Sequence, residues 1–157
     1  MSDIVPVVID CLKYSLDEEA GLACVDGYDG QPKNVTIPNT IAVNGKEYRV
    51  HQINAGALKD NSSLASITIP NSIEKIGRYA FYKCMSLTSV EIPNGIEEIG
   101  EGAFQKCKDL TSVVIPNSVK KIGAEAFSEC PSLTSITIPN SIEKIGVRAS
   151  RNCPNLA

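Results

Sequence analysis

Six cysteines and a single histidine are the residues of this chain with the most chemistry to offer. Cys84, Cys107, Cys130 and Cys153 follow one another at intervals of 23 residues, while Cys11 and Cys24 stand apart. Zinc would need ligands converging tetrahedrally on one point, and no Cys-x-x-Cys pair occurs. Thiols that recur with a structural period stack in a row one strand spacing apart and diverge from any such point. Neighbouring rungs fall within the Cα separation a disulfide allows, but their parallel side-chain vectors make bridging awkward. The period therefore predicts a column of buried free thiols, with no metal and no cofactor. Such a column suits a reducing compartment, or a secreted protein whose thiols are inaccessible. Any nucleophile–His–carboxylate site would have to be built around His51, which lies beside Gln52 in the least regular part of the chain. It is expected to be a surface or hydrogen-bonded histidine, not a base. No phosphate-binding Gly-rich loop, HExxH or GxSxG is present, so the chain is expected not to be an enzyme.

The elements that hold these residues repeat. LTSVEIPNGIEEIGEGAFQKCKD (87–109) is preceded by LASITIPNSIEKIGRYAFYKCMS (64–86) and followed by LTSVVIPNSVKKIGAEAFSECPS (110–132) and LTSITIPNSIEKIGVRASRNCPN (133–155). Leu64, Leu87, Leu110, Leu133 and Leu156 recur every 23 residues without slippage, the signature of a solenoid. In each unit Val90 and Ile92, or their equivalents, point inward and Ser89 and Glu91 outward, so successive units pair as parallel strands. Proline (Pro70, Pro93, Pro116, Pro139) ends the strand, and the asparagine after it suits a turn. Ile96 and Ile99 point inward on a second, shorter strand. Gly100 is expected at a corner too tight for a side chain. Ala103, Phe104 and Cys107, at i, i+1 and i+4, fit one short helical turn per repeat.

One domain over 1–157 is expected. Within it, 1–31 form a β-hairpin cap, 32–63 an irregular first repeat, 64–155 four regular repeats, and 156–157 the start of a further unit. In the cap, Leu12, Tyr14 and Leu16 alternate onto one face, and Asp17–Gly21 connect to Leu22–Val25. In the first repeat, nine residues are inserted after Val35–Asn39. The Asn44-Gly45 pair between Ile41–Val43 and Tyr48–Val50 predicts a small hairpin there. Asp60 is taken to stand where later units have cysteine. Ser150 replaces the phenylalanine of Phe81, Phe104 and Phe127 and is flanked by Arg148 and Arg151. Capping by a polar last coil is preferred, with truncation of a longer array and end-to-end self-association as the other outcomes.

A net charge of −3, from 15 basic and 18 acidic residues, gives no electrostatic reason to expect nucleic acid. The apolar run Ile4–Ile9, broken by Pro6, is too short for membrane insertion, and with no basic segment before it is not a signal peptide.

This unit closely resembles the BspA-type leucine-rich repeat, LxxIxIPxxIxxIgxxAFxxC. The match runs almost position for position over 64–156 and loosely over 32–63; the N-terminal hairpin and the NGKEYRV stretch are also similar. The resemblance implies a right-handed solenoid with a concave parallel sheet, secreted or displayed on a bacterial surface, with adhesion or protein binding as its role. It brings no catalytic residues.

On the sheet face that the resemblance makes concave, Ser66, Ser89, Ser112 and Ser135 form one outward row, with Thr88, Thr111 and Thr134 beside it. Thr68, Glu91, Val114 and Thr137 form a second row that varies, which is where a repeat protein can encode a partner. Arg78, Tyr79 and Tyr82 make a second candidate cluster, on the helical edge. The charges of Glu74, Glu97, Lys120 and Glu143, and of Lys75, Glu98, Lys121 and Lys144, mostly alternate in sign up the stack and so offset one another. Asn34-Val35-Thr36 and Asn61-Ser62-Ser63 fit the glycosylation triplet, a pattern short enough to arise by chance. The expected function is a non-enzymatic interaction or adhesion module presenting the concave sheet to a protein or extracellular ligand. The alternative is a structural spacer of a longer surface protein with no binding of its own.

Overall fold

The computed structural model describes residues 4–156; residues 1–3 and Ala157, the second residue of the expected further unit, lie outside the described residues. The chain opens with three antiparallel strands, β1 (Ile4–Ile9), β2 (Leu12–Asp17) and β3 (Leu22–Tyr28). The expected hairpin is β2–β3, closed by Gly21 at φ +69°, and it buries Leu12, Tyr14 and Leu16. Strand β1 is an addition: the run that is too short for a membrane is an edge strand. Its edge position tolerates the missing donor of Pro6.

Next come β4 (Asn34–Thr36), β5 (Thr40–Val43) and β6 (Lys46–Ile53). Asn44 (φ +52°) and Gly45 (φ +80°) form the two-residue turn of the β5–β6 hairpin, as their types demand. The remaining coils each contribute two short strands. They are β7 (Ser66–Thr68) and β8 (Lys75–Ile76), β9 (Ser89–Glu91) and β10 (Glu98–Ile99), β11 (Ser112–Val114) and β12 (Lys121–Ile122), and β13 (Ser135–Thr137) and β14 (Lys144–Ile145).

The strands after the Pro-Asn turn carry the longest sheet. Nine strands pair in the order β1-β2-β3-β6-β8-β10-β12-β14, with β5 on the side of β6. The other strands form two sheets, β13-β11-β9 and β4-β7, so the face expected as one continuous sheet is divided between β7 and β9. Register within each sheet is that of the sequence period: Ser112 faces Ser89 and Ser135, and Glu98 faces Lys75 and Lys121. Among the described residues, Glu74 is the one member of the two charge columns that enters an ion pair, with Arg49 at 3.6 Å; its other carboxylate oxygen lies 3.5 Å from the His51 ring.

Identical side chains lie over one another. The rings of Phe81 and Phe104 stack with centroids 5.0 Å apart and planes 3° from parallel, and Phe104 and Phe127 repeat this at 5.4 Å and 1°. Burying each ring stabilises by about 1.5–3 kcal/mol, and each stacked pair adds about 0.5–1.5 kcal/mol. Gly100 sits where a Cβ would come within 2.7 Å of the Gly77 carbonyl carbon, so the corner closes only because no side chain intervenes.

Two further expectations are corrected. No helix occurs among the described residues, and the stretch read as a helical turn is a run of tight turns. The N–H groups of Tyr79, Phe81 and Lys83 donate to the carbonyls of Glu101, Ala103 and Gln105 in the next coil, at 2.8–2.9 Å. Those of Ala80, Tyr82 and Cys84 donate three residues back, to Gly77, Tyr79 and Phe81, at 3.1–3.2 Å. Alternate donors are therefore committed to the neighbouring coil, which an α-helix cannot permit. Tyr79 (φ +55°) and Lys83 (φ +56°) adopt the left-handed conformation that resets the turn. Asn61, not Asp60, holds the cysteine register. Asp60 shares the left-handed backbone of Lys83 (φ +59° against +56°), while Asn61 is 2 % exposed. That burial also removes Asn61 from reach of glycosylation in the folded chain.

Candidate binding surfaces

The cysteine ladder is a packing device. Cys84, Cys107 and Cys130 are buried and unpaired, and each Sγ lies 3.2 Å from a carbonyl oxygen of the preceding coil, on Leu58, Phe81 and Phe104 respectively. Burial pushes the Cys84 and Cys130 thiols up to about 12 and raises Cys107 well above its ordinary value. Protonated thiols donate; they do not attack.

His51 has partners that its sequence neighbours did not announce. Between β3 and β6 the register shifts at Ala23/Cys24, so that Ala23 faces Val50 while Cys24 faces Gln52. His51 occupies the resulting bulge, a device that re-aims a side chain. Its Nε2 stands 3.4 Å from Cys24 Sγ and its Nδ1 3.5 Å from Glu74 Oε2. The order thiol, imidazole, carboxylate is that of a nucleophilic site, yet the electrostatics oppose one. Burial, then the carboxylates of Asp26 and Asp17, raise the Cys24 thiol above its ordinary value, opposite to the shift that activates a thiol. The trio binds three successive rungs together.

On the strand face, Ser66, Thr68, Ser89, Glu91, Ser112, Val114, Ser135 and Thr137 are all exposed. Part of this face satisfies itself: Thr111 and Thr134 hydroxyls donate to the carbonyls of Thr88 and Thr111, both at 3.1 Å, and Ser66 Oγ lies 2.7 Å from Asn34 Oδ1. Val114, 61 % exposed between Glu91 and Thr137, is the largest apolar group the face offers.

The turn edge is shaped differently. Arg78, Tyr79 and Tyr82 border a cleft of about 540 Å³ that Ala55, Gly56, Lys59, Asp60, Gln105 and Glu125 complete. The tyrosine rings meet edge to face, 5.6 Å apart at 84°. Tyr79 is fixed by its hydroxyl, which donates to Glu101 Oε1 at 2.9 Å and is held above its usual pKa first by that bond. Its ring covers Gly102, where any Cβ would strike it. The ammonium groups of Lys83 and Lys106 stand 5.5 and 5.8 Å from the Tyr82 ring centroid. The left-handed column Gly56, Tyr79, Gly102, Glu125 explains the relief: glycine on either side of Tyr79 leaves its ring standing over lowered backbone.

The last coil is less covered than the others. Ile138, Ile145 and Val147 are 49, 48 and 74 % exposed, and a cleft of about 290 Å³ opens beside Phe127, Ala149 and Ser150. No group of three or more His, Cys, Asp or Glu side chains among the described residues is placed to hold a metal ion. No helix there is long and apolar enough to cross a membrane.

A stack of like coils carrying Leu-x-x-Ile-x-Ile strands and a buried Phe column is a leucine-rich-repeat β-solenoid. The chain belongs to the BspA type leucine-rich repeat family, whose pattern matches residues 31–157 in six copies. Among solved structures it is similar to a leucine-rich repeat protein of Bacteroides ovatus, at 33 % identity and a TM-score of 0.89 over 96 % of this chain. It is also similar to the T. pallidum leucine-rich repeat protein, at 32 % identity and 0.87 over 98 %. A protein of Bacteroides capillosus follows at 28 % identity and 0.77 over 86 %. The matches cover 39, 70 and 99 % of those chains in turn, so this chain spans well under half the length of the B. ovatus protein. No curated protein matches it.

Proposed function

We propose that this chain is a non-enzymatic interaction module of a surface or secreted protein, and that its principal binding site is the turn-edge cleft. One observation carries the reading: Arg78, Tyr79 and Tyr82, of the residue types that dominate binding hot spots, converge on a concavity of about 540 Å³. The strand face offers no comparable anchor. It remains a second surface because Val114 is exposed at the centre of its variable row.

The two are separable on an array of extracellular matrix proteins and glycans. Loss of signal in the Tyr79→Gly/Tyr82→Ser variant, with retention in Glu91→Lys/Val114→Asp, is the expected result. The reverse pattern moves the site to the strand face. Absence of any signal above background for the unaltered chain makes the molecule a spacer.

A further inference from the structure

We propose that the turn-edge cleft takes a neutral oligosaccharide, one pyranose laying its C–H face on Tyr79 while hydroxyls along the sugar chain bond to Asp60, Glu125 and Arg78. This rests on the cleft being the binding site, and narrows what enters it.

The lining itself selects the ligand. Apart from Ala55, Gly56 and alkyl stems, its apolar surface is aromatic; no Leu, Ile, Val, Met or Phe borders the cleft. A protein partner anchored by an aliphatic side chain finds no socket there. A sugar ring is apolar on one face and ringed by hydroxyls, which is the combination that a tyrosine plate beside planar polar groups accepts. The C–H groups of a pyranose carry partial positive charge and meet the negative face of the aromatic ring.

Charge points the same way. Lys59 and Arg78 are balanced by Asp60 and Glu125 in the lining, so neither an anionic nor a cationic ligand gains from entering. A quaternary ammonium would look to the Tyr82 ring, but Lys83 and Lys106 already place their charges near it. Hydroxyls are served by what is left over. The Gln105 amide donates to Glu125 Oε2 at 2.9 Å, leaving Oε1 free to accept, and the Arg78 guanidinium spends one of its five donors on a 3.5 Å contact with Glu101.

The site is also set before the ligand arrives. Tyr79 is locked by its bond to Glu101, and Gln105 by its bond to Glu125. Little rotamer freedom is then lost on binding.

The test is a titration of the full chain with millimolar cellotriose, maltotriose and chitotriose, followed by amide NMR shifts. Tyrosine fluorescence gives a second readout, the chain having five tyrosines and no tryptophan. The expected result is saturable shifts at Gly56, Tyr79 and Gln105 for at least one sugar, without shifts along β9, β11 and β13. Tyr79→Gly places glycine at a left-handed position that Gly56 and Gly102 already occupy, so the variant is expected to fold. It should bind the sugar about tenfold more weakly, and Tyr79→Phe less weakly than that. A proline-rich peptide is titrated in parallel. If it shifts these amides and no sugar does, a polyproline segment is the ligand and the proposal falls. If no sugar binds while array binding still depends on Tyr79, the saccharide is wrong and the cleft stands. If the sugars shift only the strand face, both are wrong.

Discussion

The Sγ of Cys107 lies 3.2 Å from the carbonyl oxygen of Phe81, one coil back, and that same oxygen accepts the backbone N–H of Cys84 at 3.2 Å. A carbonyl has two lone pairs, and both are used here. Cysteine recurs because the corner needs a small apolar side chain with a donor at its tip. Cys130 repeats the relationship with Phe104, its Sγ at 3.2 Å and the Cys107 N–H at 3.4 Å from that oxygen, and the Cys153 Sγ lies 3.0 Å from the Phe127 carbonyl. A disulfide or a metal would remove these donors.

The thiol column predicts loss of stability in alkali. Burial raises Cys84 and Cys130 from 9.0 to about 12, so between these values the unfolded chain releases protons that the folded chain keeps. Their contribution is complete below pH 9 and is lost as pH rises toward 12. Tyr14, raised from 10.0 to about 12 mainly by burial, acts in the same sense. Circular dichroism in urea, repeated across this range, should show the midpoint falling. In Cys84→Ala/Cys130→Ala the midpoint should start lower and fall less steeply; an equally steep fall would refute the role of the thiols.

Gly100→Ala should be among the most damaging single-methyl changes in the chain. The new Cβ would meet the backbone of Gly77 and Arg78 at 2.7–2.8 Å, and neither can yield without opening the coil spacing. A cost of about 1–3 kcal/mol is expected, read as a lowered urea midpoint. Ala at Gly30, where nothing lies within 4 Å but φ is +72°, tests backbone strain alone and should cost less.

The repeat made the stack legible, because a side chain recurring every 23 residues fixes its own neighbours: the Phe column, the Ser112 register and the glycine corner follow directly. What escaped depended on contacts that no single unit encodes. The i, i+1, i+4 spacing of Ala103, Phe104 and Cys107 is helical by local count, but the Phe104 N–H is claimed by Ala126 of the next coil. Strand β1 carries Pro6 and is recognisable only once β2 offers it an edge. The meeting of Cys24, His51 and Glu74 spans three rungs and turns on a bulge, which composition does not reveal. Arg78, Tyr79 and Tyr82 are legible as a cluster because they lie within five residues of one another; the cleft they border is not, since Asp60, Gln105 and Glu125 come from other coils.

The Cys24–His51 contact should not behave as an activated pair. With burial, Asp26 and Asp17 all raising the thiol, alkylation by iodoacetamide at neutral pH should be slower than that of a free cysteine. Asp26→Asn removes one of the two carboxylates and should speed the reaction at Cys24, though burial, the larger cause, remains; the rate is read by peptide mass spectrometry. Rapid alkylation of the unaltered chain at Cys24 would mean that His51 does act as a base.

Ser150 interrupts the phenylalanine column where the last coil should continue it, and the cleft of about 290 Å³ beside Phe127 is the space this leaves. Ser150→Phe places a fourth ring in register with Phe127, in a coil whose Ile138 and Ile145 are half exposed. One face of the ring would stack and the other remain in water, so the gain should approach that of a single aromatic pair, about 0.5–1.5 kcal/mol. The same substitution adds apolar surface to a coil whose Val147 is already 74 % exposed. Thermal unfolding should therefore shift upward at low protein concentration, while sedimentation velocity at high concentration reports whether the added ring drives association. A lower melting temperature would show that the last coil cannot present this position inward, and that its backbone departs from the register of the coils before it.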